Sequence, residues 1–68
     1  MRHVYSKFPE HFFIELRAGS NSNWEAYSRD NDRDTMELRF TYQSEMLKPG
    51  GGVRMLDCAG KILKEKTI

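Results

Sequence analysis

The sequence predicts an α+β fold in which one helix packs on one face of a small antiparallel sheet, in the order β-β-α-β-β. Three observations lead to this fold class: apolar residues alternate in the flanking segments, a Gly/Ser/Asn-rich loop lies between two of them, and the central segment carries helix-end signals. A chain of 68 residues has room for one small domain. Within it, residues 1–8 are expected to form a flexible N-terminal segment.

The first two strands are predicted on either side of the loop "AGSNSN". In "HFFIELRA", Phe12, Ile14 and Leu16 share one face, which is the period of a half-buried strand. In "NWEAYSRD", the same alternation places Trp24 and Ser28 on one face. Two such segments joined by a short loop predict a β-hairpin. We expect the face of Phe12, Ile14, Leu16 and Trp24 to meet the helix.

The central segment "DTMELRFTYQSEMLK" fits two patterns. With a period of 2, alternate residues from Met36 to Tyr42 share a face, and a strand over 35–43 would make the chain an all-β meander. The end signals favour a helix, because Asp34 with Glu37 resembles a capping box and "KPG" is typical of a helix stop. Fifteen residues without a turn signal also exceed the usual length of a strand.

Such a helix has two apolar stripes. The side of Met36, Phe40 and Leu47 is expected to face the sheet, so the opposite side is left without a partner inside the domain. Tyr, Met and Arg are enriched at protein interfaces, and the small core of a short chain favours burying more surface against a partner. The second stripe therefore predicts a surface for a protein partner or for self-association, formed by Leu38, Arg39, Tyr42 and Met46.

The C-terminal part predicts two more strands, "GVRMLD" and "KILKE". Asp57 and Gly60 are typical of the first and fourth positions of a type I turn, so residues 57–60 should reverse the chain. The preceding run "KPGGG" follows a helix and enters a strand, whereas a phosphate-binding loop must open a helix. We expect Pro49 to stop the helix, Gly50 or Gly51 to cap it in the left-handed conformation, and positive φ at one or more of residues 50–52.

Metal and catalytic sites are not indicated. Three aspartates at 30, 32 and 34 match an EF-hand start, but Thr35 stands where glycine is needed and Thr41 where a bidentate glutamate is needed. Cys58 is the only cysteine, and His3 and His11 lie far from it in the sequence. A domain of this size also has little room for a catalytic pocket. We therefore expect no metal, no cofactor and no enzymatic activity.

The single cysteine and the lack of a long apolar run predict a cytoplasmic protein that does not span a membrane. A single thiol suits a reducing compartment, and no apolar run approaches the roughly 20 residues that span a bilayer. Eleven Lys and Arg residues against ten Asp and Glu give a net charge of +1, which favours nucleic-acid binding only through a local patch. Tyr27 or Tyr42 could stack on bases beside such a patch. Its candidate residues are Arg17, Arg29, Arg54, Lys61 and Lys64.

The sequence thus predicts a non-enzymatic protein-interaction or regulatory module, either a homodimer or a binder of another protein. Compact chains of mixed charge are common among bacterial and phage accessory proteins. The alternative is a domain that binds RNA or single-stranded nucleic acid through a basic strand face. Against this alternative, Glu15 and Glu65 interleave with the basic residues on the same strands.

Overall fold

The computed structural model describes residues 9–68, and the predicted flexible segment 1–8 lies outside the described residues. Four strands form one antiparallel sheet in the spatial order β2-β1-β3-β4, with a helix between the second and third strands in the sequence. The predicted fold class is confirmed, and the all-β alternative is wrong. The elements are β1 (Phe12–Arg17), β2 (Glu25–Asp30), α1 (Arg33–Glu45), β3 (Gly52–Leu56) and β4 (Ile62–Thr67).

The core lies between α1 and one face of the two central strands. Ile14 of β1, Val53 and Met55 of β3, and Met36 of α1 have no exposed surface, and Phe40 completes the cluster. Burying each such side chain contributes about 1.5–3 kcal/mol. The predicted contact between the two faces is confirmed, because partly buried residues from both surround the cluster: Phe12, Leu16, Leu47 and Leu63.

A β-bulge in the first hairpin changes which face Trp24 occupies. Ile14 pairs with Ser28, but Glu15 pairs with Ala26, so Tyr27 is an extra residue in β2. Beyond an extra residue the alternation changes phase. Ser28 therefore lies on the helix side, whereas Trp24 lies on the other face. The expectation that Trp24 meets the helix is wrong, because it assumed an unbroken period of 2.

The helix begins two residues earlier than the capping-box pattern indicates. Its N-cap is Asp32, whose Oδ1 accepts a hydrogen bond from the backbone N–H of Asp34 at 3.1 Å. The hydroxyl of Thr35 donates to Asp32 Oδ2 at 2.8 Å. Glu37 is engaged elsewhere, in an ion pair with Arg33 at 2.9 Å. The expected Asp34 cap is wrong because Asp32 has two suitable donors in the first turn.

The three glycines after the helix do not cap it. α1 ends at Glu45 with Met46 as its C-cap, and Gly50 lies four residues further on. Gly50 has φ +87°, so the predicted positive φ is confirmed there. The N–H of Gly51 donates to the carbonyl of Lys48 at 2.8 Å. Pro49 and Gly50 therefore occupy the second and third positions of a turn. Proline followed by glycine at these positions is typical of a type II turn, which needs positive φ at its third position.

The predicted chain reversal at residues 57–60 is confirmed. The N–H of Gly60 donates to the carbonyl of Asp57 at 3.0 Å, and Gly60 has φ +88°. Asp57 Oδ1 accepts hydrogen bonds from the backbone N–H groups of Ala59 and Lys61, each at 2.9 Å. A type I turn followed by a left-handed residue is a common three-residue hairpin connection. It joins the central strand β3 to the edge strand β4.

Candidate protein-interaction surface

Three exposed apolar side chains point away from the sheet, two on α1 and one at its C-cap. Leu38 is 73% exposed, Tyr42 61% and Met46 58%. They are spaced by four residues, which places them one above another on the same helix face. Met36 and Phe40, on the opposite face of the helix, are buried. We call Leu38, Tyr42 and Met46 the outward stripe.

Tyr27 of β2 extends this apolar surface toward the edge of the sheet. It is 53% exposed, and its hydroxyl accepts a hydrogen bond from Gln43 Nε2 at 3.0 Å. A groove of about 590 Å³ lies between Tyr27 and two members of the outward stripe, Leu38 and Tyr42. A second groove, of about 470 Å³, runs from Tyr27 past Gln43 to Met46. The surface is therefore continuous from the helix to β2.

Charged side chains flank the outward stripe. The Arg39 Nη1 group donates to Ser28 Oγ at 2.7 Å, and Nη2 lies 3.9 Å from Asp30 Oδ2. These contacts hold the guanidinium at the β2 side while 42% of the side chain stays exposed. Glu45 is exposed on the other flank. At 3.6 residues per turn, Arg39 and Glu45 lie about 60° to either side of Tyr42.

The four residues predicted to bind a partner share one exposed surface, which Tyr27 extends. Leu38, Arg39 and Tyr42 lie on α1, Met46 is its C-cap residue, and all four are exposed. Tyr27 was not among them, because the bulge that turns it toward the helix depends on the pairing with β1. No local signal in "EAYSRD" specifies such a bulge.

The basic residues proposed for nucleic acid do not all lie together. Arg17 and Arg54 meet on the sheet face away from the helix, and Arg29 pairs with Phe13 on that same face. Lys64 is on the helix side, where its Nζ lies 3.9 Å from Glu37 Oε1 and 5.7 Å from the Phe40 ring centroid. Lys61 is exposed beside the β3–β4 turn. Three of the five thus share a face.

Trp24 is held on that face by two guanidinium groups. The Cζ atoms of Arg17 and Arg54 lie 4.8 and 4.3 Å from its ring centroid. Arg54 also forms a short, largely buried ion pair with Glu15 at 2.7 Å. Arg17 Nε is buried with no hydrogen-bond acceptor in the described part of the chain. The guanidinium group of Arg17 as a whole lies over the electron-rich face of the indole, which is a cation–π contact.

Two carboxyl groups at the start of α1 have lowered pKa values. The hydrogen bond from the Thr35 hydroxyl lowers the pKa of Asp32, and backbone N–H groups of the first turn add to the effect. The hydrogen bond from Arg33 lowers the pKa of Glu37, with a further contribution from Lys64. Each of these partners favours the charged form of the carboxyl group. These carboxylates support the start of the helix.

Within residues 9–68, no three His, Cys, Asp or Glu side chains are grouped so that they could hold a metal ion. The same part of the chain has no helix long and apolar enough to cross a membrane. Cys58 is partly exposed in the β3–β4 turn. His11 lies 3.4 Å from Arg29 Nη1, well separated in the sequence from Cys58.

Comparison with protein-family models, with curated proteins and with solved structures found no match for this chain.

Proposed function

We propose that this chain is a non-enzymatic protein-interaction module that binds a protein partner on the outward stripe and Tyr27. The observation that carries the proposal is the continuous exposed surface of Leu38, Tyr42, Met46 and Tyr27, each more than half exposed. Scattered single apolar residues are normal on a protein surface, whereas a contiguous patch of them is typical of a binding site.

The composition of this surface supports a protein partner. Aromatic residues, Met and Arg are enriched in protein interfaces, and polar residues usually form the rim. Here Tyr42 and Met46 are central, while Arg39 and Glu45 flank them. Arg39 is already oriented by its hydrogen bond to Ser28, so ordering it on binding costs little conformational entropy.

The nucleic-acid alternative has weaker support. Arg54 is neutralised by Glu15, and both Arg54 and Arg17 are engaged with Trp24. Trp24 itself is only partly exposed, so it offers little open ring surface to a base. We therefore propose that the partner binds on the helix side of the molecule. The single cysteine further supports a reducing, cytoplasmic compartment for this activity.

Photo-crosslinking in the organism that encodes the chain tests the proposal. Benzoylphenylalanine replaces Tyr42, because it keeps an aromatic group at the centre of the stripe. The matched control carries it at Glu65, an exposed position on β4 whose register places it on the sheet face away from the helix. On illumination we expect a discrete adduct from position 42 and none from position 65.

The pattern of adducts at positions 42 and 65 decides whether the proposal stands. An adduct from position 42 alone supports docking on this surface, whether its mass reports another protein or a second copy of the chain. Equal adducts from both positions, or none from position 42, would overturn the proposal. Adding Leu38→Glu to the position 42 probe should remove the adduct, since it places a charge inside the docked apolar area.

A further inference from the structure

We propose that Ser28 and Gln43 are positioning residues of the binding surface, which hold Arg39 and Tyr27 in the conformation that receives the partner. This inference rests on the proposed function and adds how its surface is kept ready for binding. Arg39 Nη1 donates to Ser28 Oγ at 2.7 Å, and Gln43 Nε2 donates to the Tyr27 hydroxyl at 3.0 Å. We call this pair of hydrogen bonds the α1–β2 seam.

The β-bulge in β2 makes the α1–β2 seam possible. In an unbroken strand, neighbouring side chains point to opposite faces of the sheet, so Tyr27 and Ser28 could not both reach the helix. Because Tyr27 is the extra residue in β2, both side chains contact α1. Bulges often redirect a side chain beside a functional site, and this one adds Tyr27 to the exposed apolar surface.

The helix supplies two donors at a matching spacing. Arg39 and Gln43 are four residues apart, so they lie one above the other on α1, about 6 Å apart along its axis. Each can therefore bond a different one of the two neighbouring residues of β2. The two hydrogen bonds form side by side between the helix and the edge strand.

The two side chains that the α1–β2 seam holds are ones that are costly to immobilise on binding. The Arg39 side chain is 42% exposed and Tyr27 is 53% exposed. Asp30 Oδ2 lies 3.9 Å from Arg39 Nη2, so Ser28 provides the shorter contact. Ordering a flexible side chain at an interface weakens affinity by about two- to tenfold, and a side chain that is already ordered avoids this loss.

The α1–β2 seam contributes to the surface rather than to the core. Both of its hydrogen bonds are exposed, whereas the buried cluster of α1 and the sheet lies on the opposite side of the helix. A variant that loses one of these bonds should therefore remain folded. Its effect should be seen in partner binding and in the mobility of the released side chain.

The benzoylphenylalanine probe at position 42 measures partner binding, at expression levels where the adduct is far from saturation. Ser28→Ala and Gln43→Met each remove one hydrogen bond, and each should lower the adduct yield about two- to tenfold. Ser28→Thr keeps the hydroxyl and should retain the yield. Ser44→Ala is the matched control, because the Ser44 hydroxyl donates to the carbonyl of Thr41 within α1 and takes no part in the seam. Its yield should equal that of the original chain.

A double-mutant cycle tests whether Gln43 acts through Tyr27. Tyr27→Phe removes the same hydrogen bond from the β2 side, so Tyr27→Phe, Gln43→Met and the double variant should lose similar yields rather than additive ones. Nitrogen-15 relaxation of the isolated chain gives a readout that does not depend on the partner. Arg39 Nε and the Gln43 side-chain amide should be rigid in the original chain, and each should become mobile in Ser28→Ala and Tyr27→Phe respectively. Circular dichroism checks that every variant is folded.

Four results would overturn this inference: an adduct yield unchanged by Ser28→Ala and Gln43→Met, an equal loss in Ser44→Ala, additive losses in the double variant, or mobile Arg39 and Gln43 side chains in the original chain. In each case an adduct from position 42 of the original chain still supports the proposed function. If the original chain gives no such adduct, the proposed function is overturned, and the positioning role falls with it.

Discussion

Gly52 leaves room for the indole of Trp24, the only tryptophan of the chain. A Cβ atom at this position would come within 2.7 Å of the Trp24 indole and 2.8 Å of Thr67 Cγ2, both closer than real carbon atoms approach. The absence of a side chain therefore lets the indole of Trp24, which directly precedes β2, reach across β1 to β3. There it meets the guanidinium groups of Arg17 and Arg54.

We expect Gly52→Ala to destabilise the chain by about 1–3 kcal/mol, the usual cost of forcing extra atoms into a packed site. It should also move the tryptophan emission to longer wavelength, because the displaced indole becomes more exposed to water. Trp24 is the only tryptophan, so its fluorescence reports this site alone. Urea unfolding followed by fluorescence measures both effects.

Gly60→Ala is the matched control for this prediction. Gly60 has φ +88°, but its added Cβ would meet no atom within 4 Å. The variant should lose about 1–2 kcal/mol through the left-handed backbone alone. Its tryptophan emission should stay unchanged in the folded state. An unchanged emission for Gly52→Ala as well would contradict the close contact between Gly52 and Trp24.

At the scale of single residues, the sequence predicts that the glycines at 50–52 shape the backbone rather than bind a ligand. It does not predict which role each of the three glycines has. Positive φ at Gly50 follows from Pro49 and the turn rules. The role of Gly52 depends on Trp24, 28 residues earlier in the chain, whose position in turn depends on a bulge opposite β1. Contacts between distant segments leave no local signal.

At the scale of the element, the N-cap carboxylate of Asp32 stabilises the start of α1. Asp32 accepts hydrogen bonds from the Thr35 hydroxyl and the Asp34 backbone, and these lower its pKa below the ordinary value of 3.8. A group whose pKa is lowered on folding stabilises the folded state above its ordinary pKa and loses that contribution as the pH falls. The helix start should therefore weaken in acid.

We expect Asp32→Ala to lower the free energy of unfolding at pH 7, since the first-turn donors lose their acceptor. Asp32→Asn keeps a side-chain oxygen but cannot titrate. Between pH 6 and pH 3, the original chain should therefore lose more stability than Asp32→Asn does. Urea unfolding at several pH values measures the difference. Parallel losses in the two proteins would mean that protonation of Asp32 contributes nothing.

Helix α1 also shows which features of an element can be predicted from sequence patterns. The helix, its buried side and the exposed residues Leu38, Tyr42 and Met46 follow from sequence periodicity and end signals. The exact start does not, because Asp30, Asp32 and Asp34 are all acceptable N-cap residues. Two donors select Asp32, the backbone N–H of Asp34 and the hydroxyl of Thr35, and their positions are known only once the turn is built.

At the scale of the whole molecule, an edge of the sheet is a second place where another chain could bind. β4 is an edge strand, and an exposed edge can pair with another chain. In antiparallel self-pairing, a register centred on Lys64, Glu65 or Lys66 places like charges directly opposite each other. Such pairs are destabilising by about 0.2–1 kcal/mol each. The charges of β4 thus disfavour self-pairing at this edge of the sheet.

We expect the double variant Lys64→Thr, Lys66→Thr to form β-rich aggregates at concentrations where the original chain does not. Threonine keeps the strand propensity while the repulsion across the edge is removed. The variant Lys48→Thr, Lys61→Thr loses the same two positive charges in connecting segments, so both variants change the net charge from +1 to −1. Thioflavin fluorescence and light scattering over time should distinguish them. If the two variants aggregate equally, net charge alone governs solubility and β4 has no special role; aggregation of the edge variant alone confirms that position matters.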